Sequence, residues 1–352
     1  MKHLKVGIVG CGHIAQTAHI PNYLNNPRVD VSALCDRDEV LLKSVGSQFQ
    51  IKHQFTDYKE MLESNSVDAI SVCTPTTTHS RIVIEAARHG VHALCEKPLA
   101  STLEEAEEML KAVSEARIKF TVGFNYRFLP NHIKAKEYLN GGKIGKLILT
   151  RSEVVTAGPY GSEFTTSEYK YQTEKRLGVF FDLGSHVTDL LIWIAGEPKE
   201  VFATCGTHMN GVRVDDFAFV TIKFESGVVG NIITLWLNLP NYQAIADSRK
   251  IELIGSEGKI DADFFGPSLF FYSKRSLASR LKGKIEIIPN KFSSKDPNEA
   301  LKWSYRKEID SFVESVLDNK TVAVTGNEAK KCLEVILAAY KSNKSGYIIK
   351  LD

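Results

Sequence analysis

Leu4-Lys5-Val6-Gly7-Ile8-Val9-Gly10-Cys11-Gly12-His13-Ile14-Ala15 joins a continuous apolar run to a G-x-G-x-x-A pattern, and helix-patterned residues follow to about Asn25. A buried strand turning directly into a helix is the context in which this pattern carries meaning. Gly10 permits the tight turn, Gly12 lets the backbone approach a diphosphate, and Ala15 lets the helix pack close to the sheet. The amides at the helix start, those of His13 and Ile14 included, are placed to hold phosphate charge. Asp36 ends the next apolar run, Val29 to Cys35, where a carboxylate accepts hydrogen bonds from an adenosine ribose and repels a 2′-phosphate. NAD is therefore expected over NADP. Arg37 keeps NADP possible, since it can either stack on adenine or receive a 2′-phosphate.

Strand and helix patterns alternate onward from this unit with short connections. Strands are expected at 68–73, 91–95 and 119–123, and helices at 38–49, 57–63 with Thr56 as N-cap, and 79–89. Ser101-Thr102-Leu103-Glu104 reads as a capping box for a helix reaching about Ala116. Pro21 is expected to kink or shorten the first helix. This alternation predicts a doubly wound parallel sheet, a Rossmann dinucleotide-binding domain over 1–123.

Beyond residue 123 the pattern changes to long alternating segments at 146–155, 200–207, 217–224, 228–235, 250–254 and 259–264. Turns stand at Glu225-Ser226-Gly227 and Gly255-Ser256-Glu257-Gly258. Helices are expected at 130–139, 185–195, 301–317 and 328–341, with a short strand at 347–351. Residues 266–300 read as irregular, with no assigned role. The second domain, 124–352, is thus an α+β unit built on a large, mostly antiparallel sheet with helices on one face.

With 352 residues, 43% hydrophobic and 24% charged, the chain has the composition of a globular protein with room for two cores. A formal net charge of +2 gives no basis for a nucleic-acid or membrane surface. No apolar run nears the roughly 20 residues of a spanning helix, and Met1-Lys2-His3 leading into a strand predicts no signal peptide. The six cysteines show no Cys-x-x-Cys spacing. Cys11, Cys35, Cys73 and Cys95 fall at strand ends, where a small apolar side chain fits. A reduced, cytoplasmic protein is expected.

Three further segments carry chemistry. Glu96-Lys97-Pro98 follows a buried strand, and the carboxyl ends of such strands are where open α/β sheets hold ligands. Thr74-Pro75-Thr76-Thr77-Thr78-His79 either lines a cofactor between ribose and nicotinamide or is a turn with Thr78 as N-cap. His79 is retained as a cofactor contact. In Asp182-Leu183-Gly184-Ser185-His186, a helix starting near Gly184 would place Asp182 and His186 one turn apart on one side. There the positive helix end would favour a neutral His186 able to act as a base. No further ligands have metal-site spacing, so no metal is expected.

Together these motifs resemble the glucose–fructose oxidoreductase, inositol dehydrogenase and rhizopine-catabolism (Gfo/Idh/MocA) family over essentially the whole chain. Cys73 to His79, Glu96 to Leu99, Gly123-Phe124-Asn125-Tyr126-Arg127 and Asp182 to His186 carry the resemblance with the glycine run and Asp36. It implies a Rossmann domain followed by an open-faced sheet that mediates homodimers or homotetramers. It also implies NAD(P)-dependent hydride transfer at a carbinol of a sugar, nucleotide-sugar or cyclitol. Lys97, Asp182 and His186 look like the catalytic set, which also contacts substrate. Glu96 resembles a nicotinamide-side contact, and Asn125 and Arg127 would border cofactor and substrate. Either His186 or Lys97 can be the base, with the other donating to the reacting oxygen. Tyr160, with Tyr169, Tyr171, Lys175 and Arg176, either lines the pocket or belongs to a solvated loop. A glycoside hydrolase acting by transient oxidation and a non-catalytic NAD-binding sensor are the alternatives. Retention of Lys97, Asp182 and His186 favours the dehydrogenase.

Overall fold

The computed structural model describes residues 3–156, 178–208, 214–237, 248–264, 266, 268–273, 284–289 and 298–351. Contacts gather the chain into two units, 1–125 with 305–333 and 126–304 with 334–352.

In the first unit, β1 (Leu4–Val9) leads through a π-helical turn (Ala15–His19) into α1 (Ile20–Leu24). Then come β2 (Val29–Cys35), α2 (Glu39–Phe49), β3 (His53–Phe55), α3 (Tyr58–Glu63), β4 (Ala69–Val72) and α4 (His79–Arg88). β5 (His92–Cys95), α5 (Leu103–Ala116) and β6 (Phe120–Val122) complete the alternation. Among the described residues the six strands are parallel in the order β3-β2-β1-β4-β5-β6, so the expected doubly wound sheet is present. This order reverses direction between β1 and β4, which places a crevice outside their carboxyl ends.

Local readings shift by single residues where a better cap lies adjacent. Asp57, not Thr56, caps α3, its carboxylate accepting from the Lys59 N–H. Thr102 caps α5 by accepting from Glu105 N–H, while the Glu105 carboxylate accepts from Ser101 N–H, so the box lies one residue further on. Pro21 is the second residue of α1, directly after the π turn, in the first helical turn where a missing N–H is tolerated.

The second unit holds α6 (Pro130–Asn140), β7 (Leu147–Thr156), α7 (Val179–Ala195), β8 (Pro198–Gly206), β9 (Phe217–Phe224) and β10 (Val229–Trp236). β11 (Ser248–Gly255), β12 (Gly258–Asp263), β13 (Ser268–Ser273), β14 (Lys284–Pro289) and β15 (Ile349–Lys350) follow. β13 and β14 correct the reading of 266–300 as wholly irregular: the alternation Leu269-Phe270-Phe271-Tyr272 pairs with β12. Among the described residues nine strands form one sheet, β14-β13-β12-β11-β7-β10-β9-β8-β15. Only β7 and β10 run parallel within it. Inward residues such as Val154, Val220 and Ile232 are buried, whereas Arg151, Phe219 and Phe270 are exposed on the opposite face.

Helices α8 (Asn298–Leu317) and α9 (Gly326–Ser345) span the division between units. Ile309, Phe312 and Val313 of α8 belong to the core built around Leu4, Val6 and Ile8, and the Thr121 hydroxyl donates to the Val324 carbonyl at 2.9 Å. Residues 305–333 therefore group with the dinucleotide-type sheet, although a linear reading assigns them to 124–352. The six cysteines are buried. Among the described residues, no helix is long and apolar enough to cross a membrane.

Phe312→Ala removes a fully buried ring from this shared core. The expected cost is about 3–5 kcal/mol, measured as a lower urea midpoint.

Candidate active site

The carboxyl ends of the central strands lie level. Val9 is in register with both Cys35 and Val72, and Val72 with Cys95. Gly10, Asp36, Cys73 and Glu96 therefore begin their loops at one edge of the sheet. Gly10 has φ +93°, and a Cβ there would meet the Cys73 backbone at 2.8 Å, so the turn admits only glycine. A Cβ on Gly12 would meet nothing within 4 Å, which leaves the helix start open to a group approaching its amides. Ala15 is fully buried against the sheet. The Cys11 N–H donates to Asp36 Oδ2 at 2.8 Å, and the Asp38 N–H to Oδ1 at 2.9 Å. Asp36 thus steadies the glycine turn while each oxygen keeps acceptor capacity. Arg37 and the His13 ring are exposed. This donor set fits a dinucleotide.

The next two loops are tied together from beneath. The Thr78 hydroxyl donates to Thr74 Oγ1 at 2.7 Å. His79 is buried, with Nδ1 2.9 Å from the Pro98 carbonyl oxygen and Nε2 2.8 Å from that of Thr74. Both ring nitrogens of His79, expected as a cofactor contact, thus face backbone carbonyls, one in each loop, and the ring braces the two loops together. Burial pushes the His79 imidazole down, against the two carbonyls and the nearby Glu96 charge. The Lys97–Pro98 bond is cis.

Glu96 is buried, and its Oε1 lies 2.9 Å from Nε2 of His19, a residue that the sequence reading missed. Burial alone would raise the Glu96 carboxyl. The His19 hydrogen bond and charge, with the Lys97 charge and backbone N–H, outweigh burial and hold it below the usual range. A histidine on the inward stripe of the first helix was the available signal.

In the second unit Asp182 and His186 stand one turn apart on α7, Asp182 partly exposed and His186 buried. The helix starts at Val179 rather than near Gly184, because the Phe180 N–H donates to the Asp215 carboxylate at 3.0 Å. His186 consequently lies past the first turn, and the argument from the helix N-terminus to a neutral His186 does not hold. Burial raises the Asp215 carboxyl, against hydrogen bonds from Phe180 N–H and the Tyr340 hydroxyl. The Tyr126 ring stacks on His186 with centroids 4.2 Å apart and planes at 17°. Phe264 meets Tyr126 edge-on at 5.2 Å and His132 at 4.3 Å.

Arg127, expected to border substrate, is buried, with Nε and a terminal nitrogen on the two Asp189 oxygens at 2.8 and 2.7 Å. Such a bidentate pair joins the 3-10 turn before α6 to α7, so Arg127 braces the helix that carries His186. Asp189 is 62 positions away in the chain, beyond any local pattern. Asn125 is buried at the preceding 3-10 turn. Tyr160, Tyr169, Tyr171, Lys175 and Arg176 lie outside the described residues.

Residues 4–124 match the model of the GFO_IDH_MocA oxidoreductase family, NAD-binding Rossmann fold, and residues 132–261 match the GFO/IDH/MocA C-terminal domain. The myo-inositol 2-dehydrogenase of Thermotoga maritima is 28% identical over 354 residues, covering 99% of both chains. The scyllo-inositol 2-dehydrogenase (NAD(+)) of Bacillus subtilis is 27% identical, covering 100% of this chain and 98% of its own. A levoglucosan dehydrogenase solved with NADH superposes with a TM-score of 0.89 at 21% identity, covering both chains fully, a likeness of fold.

Burial pushes the His132 imidazole from 6.5 down to about 4, against its hydrogen bond to the Tyr126 carbonyl. Between these values the unfolded chain binds a proton that the folded one refuses, so stability falls as pH drops from 6.5 toward 4. The full effect is about 3 kcal/mol. His132→Asn, which keeps a donor near Nδ1, should flatten the pH dependence of the thermal midpoint over that interval.

Proposed function

Because the chain belongs to the GFO/IDH/MocA oxidoreductase family, we propose that it is an NAD-dependent dehydrogenase acting on a carbinol of a cyclitol, sugar or nucleotide-linked sugar. The observation that carries this reading is the sheet edge where an open Gly12, the Asp36 carboxylate and the Glu96-Lys97 pair begin at one level. The inositol dehydrogenases that resemble the chain over nearly its full length favour a polyol ring as substrate.

Bound NAD supplies the two-electron acceptor. Gly12, His13 and Ile14 offer backbone amides to its diphosphate, and Gly10, whose own N–H donates to the Cys35 carbonyl, makes the turn that presents them. Asp36 accepts from the adenosine ribose, and Thr74, Pro75, Glu96 and Asn125 line the far half. Lys97 donates to the reacting oxygen and steadies the negative charge that develops there. His186 takes the hydroxyl proton, with its ring plane set by the Tyr126 stack. Asp182 accepts from a neighbouring hydroxyl, and Tyr160 contributes to the substrate pocket. In this division residues 1–123 hold the cofactor, and 124–352 hold substrate and build the oligomer. The buried thiols suit a cytoplasmic setting.

The oligomer is formed by a second copy over the open sheet face. Phe202 and Phe219, on the neighbouring strands β8 and β9, are exposed there at 43 and 48%, and Phe270 on β13 at 48%, apolar surface that a second copy would bury.

Nucleotide-stripped protein should bind NADH more tightly than NADPH by fluorescence titration, and then reduce NAD with one of a panel of inositols and sugars. His186→Ala should lower kcat by about 10²–10⁴-fold with NADH affinity kept. Preference for NADPH would overturn the Asp36 argument. Phe219→Glu should shift the light-scattering mass to that of a monomer, and an unchanged mass would remove the sheet face as the interface.

A further inference from the structure

Five groups in the first unit form one hydrogen-bonded chain that ends at the cofactor edge. His19 is wholly buried, as are Ser71 and Tyr23. Its Nε2 faces Glu96 Oε1 at 2.9 Å, and a carboxylate oxygen only accepts, so Nε2 carries a proton. Nδ1 lies 3.1 Å from the Ser71 hydroxyl, and Ser71 Oγ lies 2.8 Å from the Tyr23 hydroxyl. His19 thus donates to Glu96 from one ring nitrogen and is tied through Ser71 to Tyr23 from the other. Burial keeps the Tyr23 hydroxyl protonated and hence a donor. The other Glu96 oxygen accepts the Lys97 backbone N–H at 3.1 Å.

The helix that carries His19 explains why the chain starts there. Its first residues present amides at Gly12, and its next turn, Ala15–His19, is π-helical. A π turn holds more residues than an α turn, so it rotates the side chains that follow it. Here it accompanies an imidazole buried beneath β4 and β5. In the strand order of this sheet one mononucleotide half belongs to β1–β3 and the other to β4–β6. The same helix thus serves the diphosphate through its amides and the second half through Glu96. Gly123 closes the other side, since a Cβ there would stand 3.3 Å from the Glu96 carboxylate.

We propose that His19 is a positioning residue for the nicotinamide half of the cofactor, fixing through Glu96 both that carboxylate and the Lys97 backbone. The proposal rests on the dinucleotide reading given above. It separates two parts of one ligand: nicotinamide depends on His19, and the ADP-ribose remainder does not.

The test is calorimetric titration of wild type, His19→Asn, His19→Gln and Tyr23→Phe with NADH and with ADP-ribose, which lacks nicotinamide. His19→Asn, too short to reach Glu96, should weaken NADH by about tenfold and ADP-ribose by less than about threefold. His19→Gln, whose amide nitrogen stands near the position of Nε2, should restore NADH to within about threefold of wild type. Tyr23→Phe leaves the imidazole and Glu96 in place and should give a smaller loss that is still selective for NADH. If His19→Asn does not fold by thermal melting, Tyr23→Phe carries the comparison. Equal weakening of both ligands would make His19 merely structural and overturn the proposal, as would no change in either. Wild type that binds ADP-ribose but not NADH, or neither, would instead sink the nicotinamide reading itself.

Discussion

The level alignment of parallel strand ends is the constraint on which the rest of the first unit depends. Val9, Cys35, Val72 and Cys95 finish side by side because parallel pairing fixes their register. A one-residue slip in any strand would exchange the side chains packed on its two buried faces and move its loop off the edge. The loops are then fastened to one another: Cys11 to Asp36, and His79 to both Thr74 and Pro98. Each tie uses a backbone group, so the loop path is held whatever side chains line it.

The second unit solves a different problem, that of holding one long helix at a set height against a sheet. α7 is fixed at its start by Asp215 and in its middle by the Arg127–Asp189 pair. A buried ion pair of this kind adds little net stability, yet removing one partner costs about 3–5 kcal/mol. Its effect is to make other settings of the helix costly. The stack of Tyr126 on His186, backed by Phe264, then fixes a ring rather than a helix. Position is therefore set in two stages, coarse by charge and fine by aromatic contact.

Much of the fold was legible because its signals are local. The glycine run, Asp36 at a strand end and the alternating segments each declare themselves within a few residues, and the order of strands follows from the right-handed crossover. The start of α7 was misplaced because Gly178 and Gly184 are equally good stops in sequence. The choice is made by Asp215, more than thirty positions downstream. Asp189 and His19 escaped for the same reason, their partners lying 62 and 77 residues away. β13 and β14 were lost because short alternation without strong turn residues resembles loop. What the sequence withheld was the pairing of distant polar groups, which no periodicity encodes.

The buried thiols have one more consequence. The thiolate is the reactive form of cysteine, and burial pushes Cys11, Cys35 and Cys205 up to about 12 and Cys73 and Cys95 well above their usual range. Cys11 sits inside the glycine turn itself, so a nucleophile stands at the most exacting bend of the backbone yet stays protonated and silent. These five sites would give no background to maleimide or iodoacetamide. With Cys332 buried as well, a single cysteine placed on an exposed helix could then carry a fluorophore or spin label without stripping the native ones.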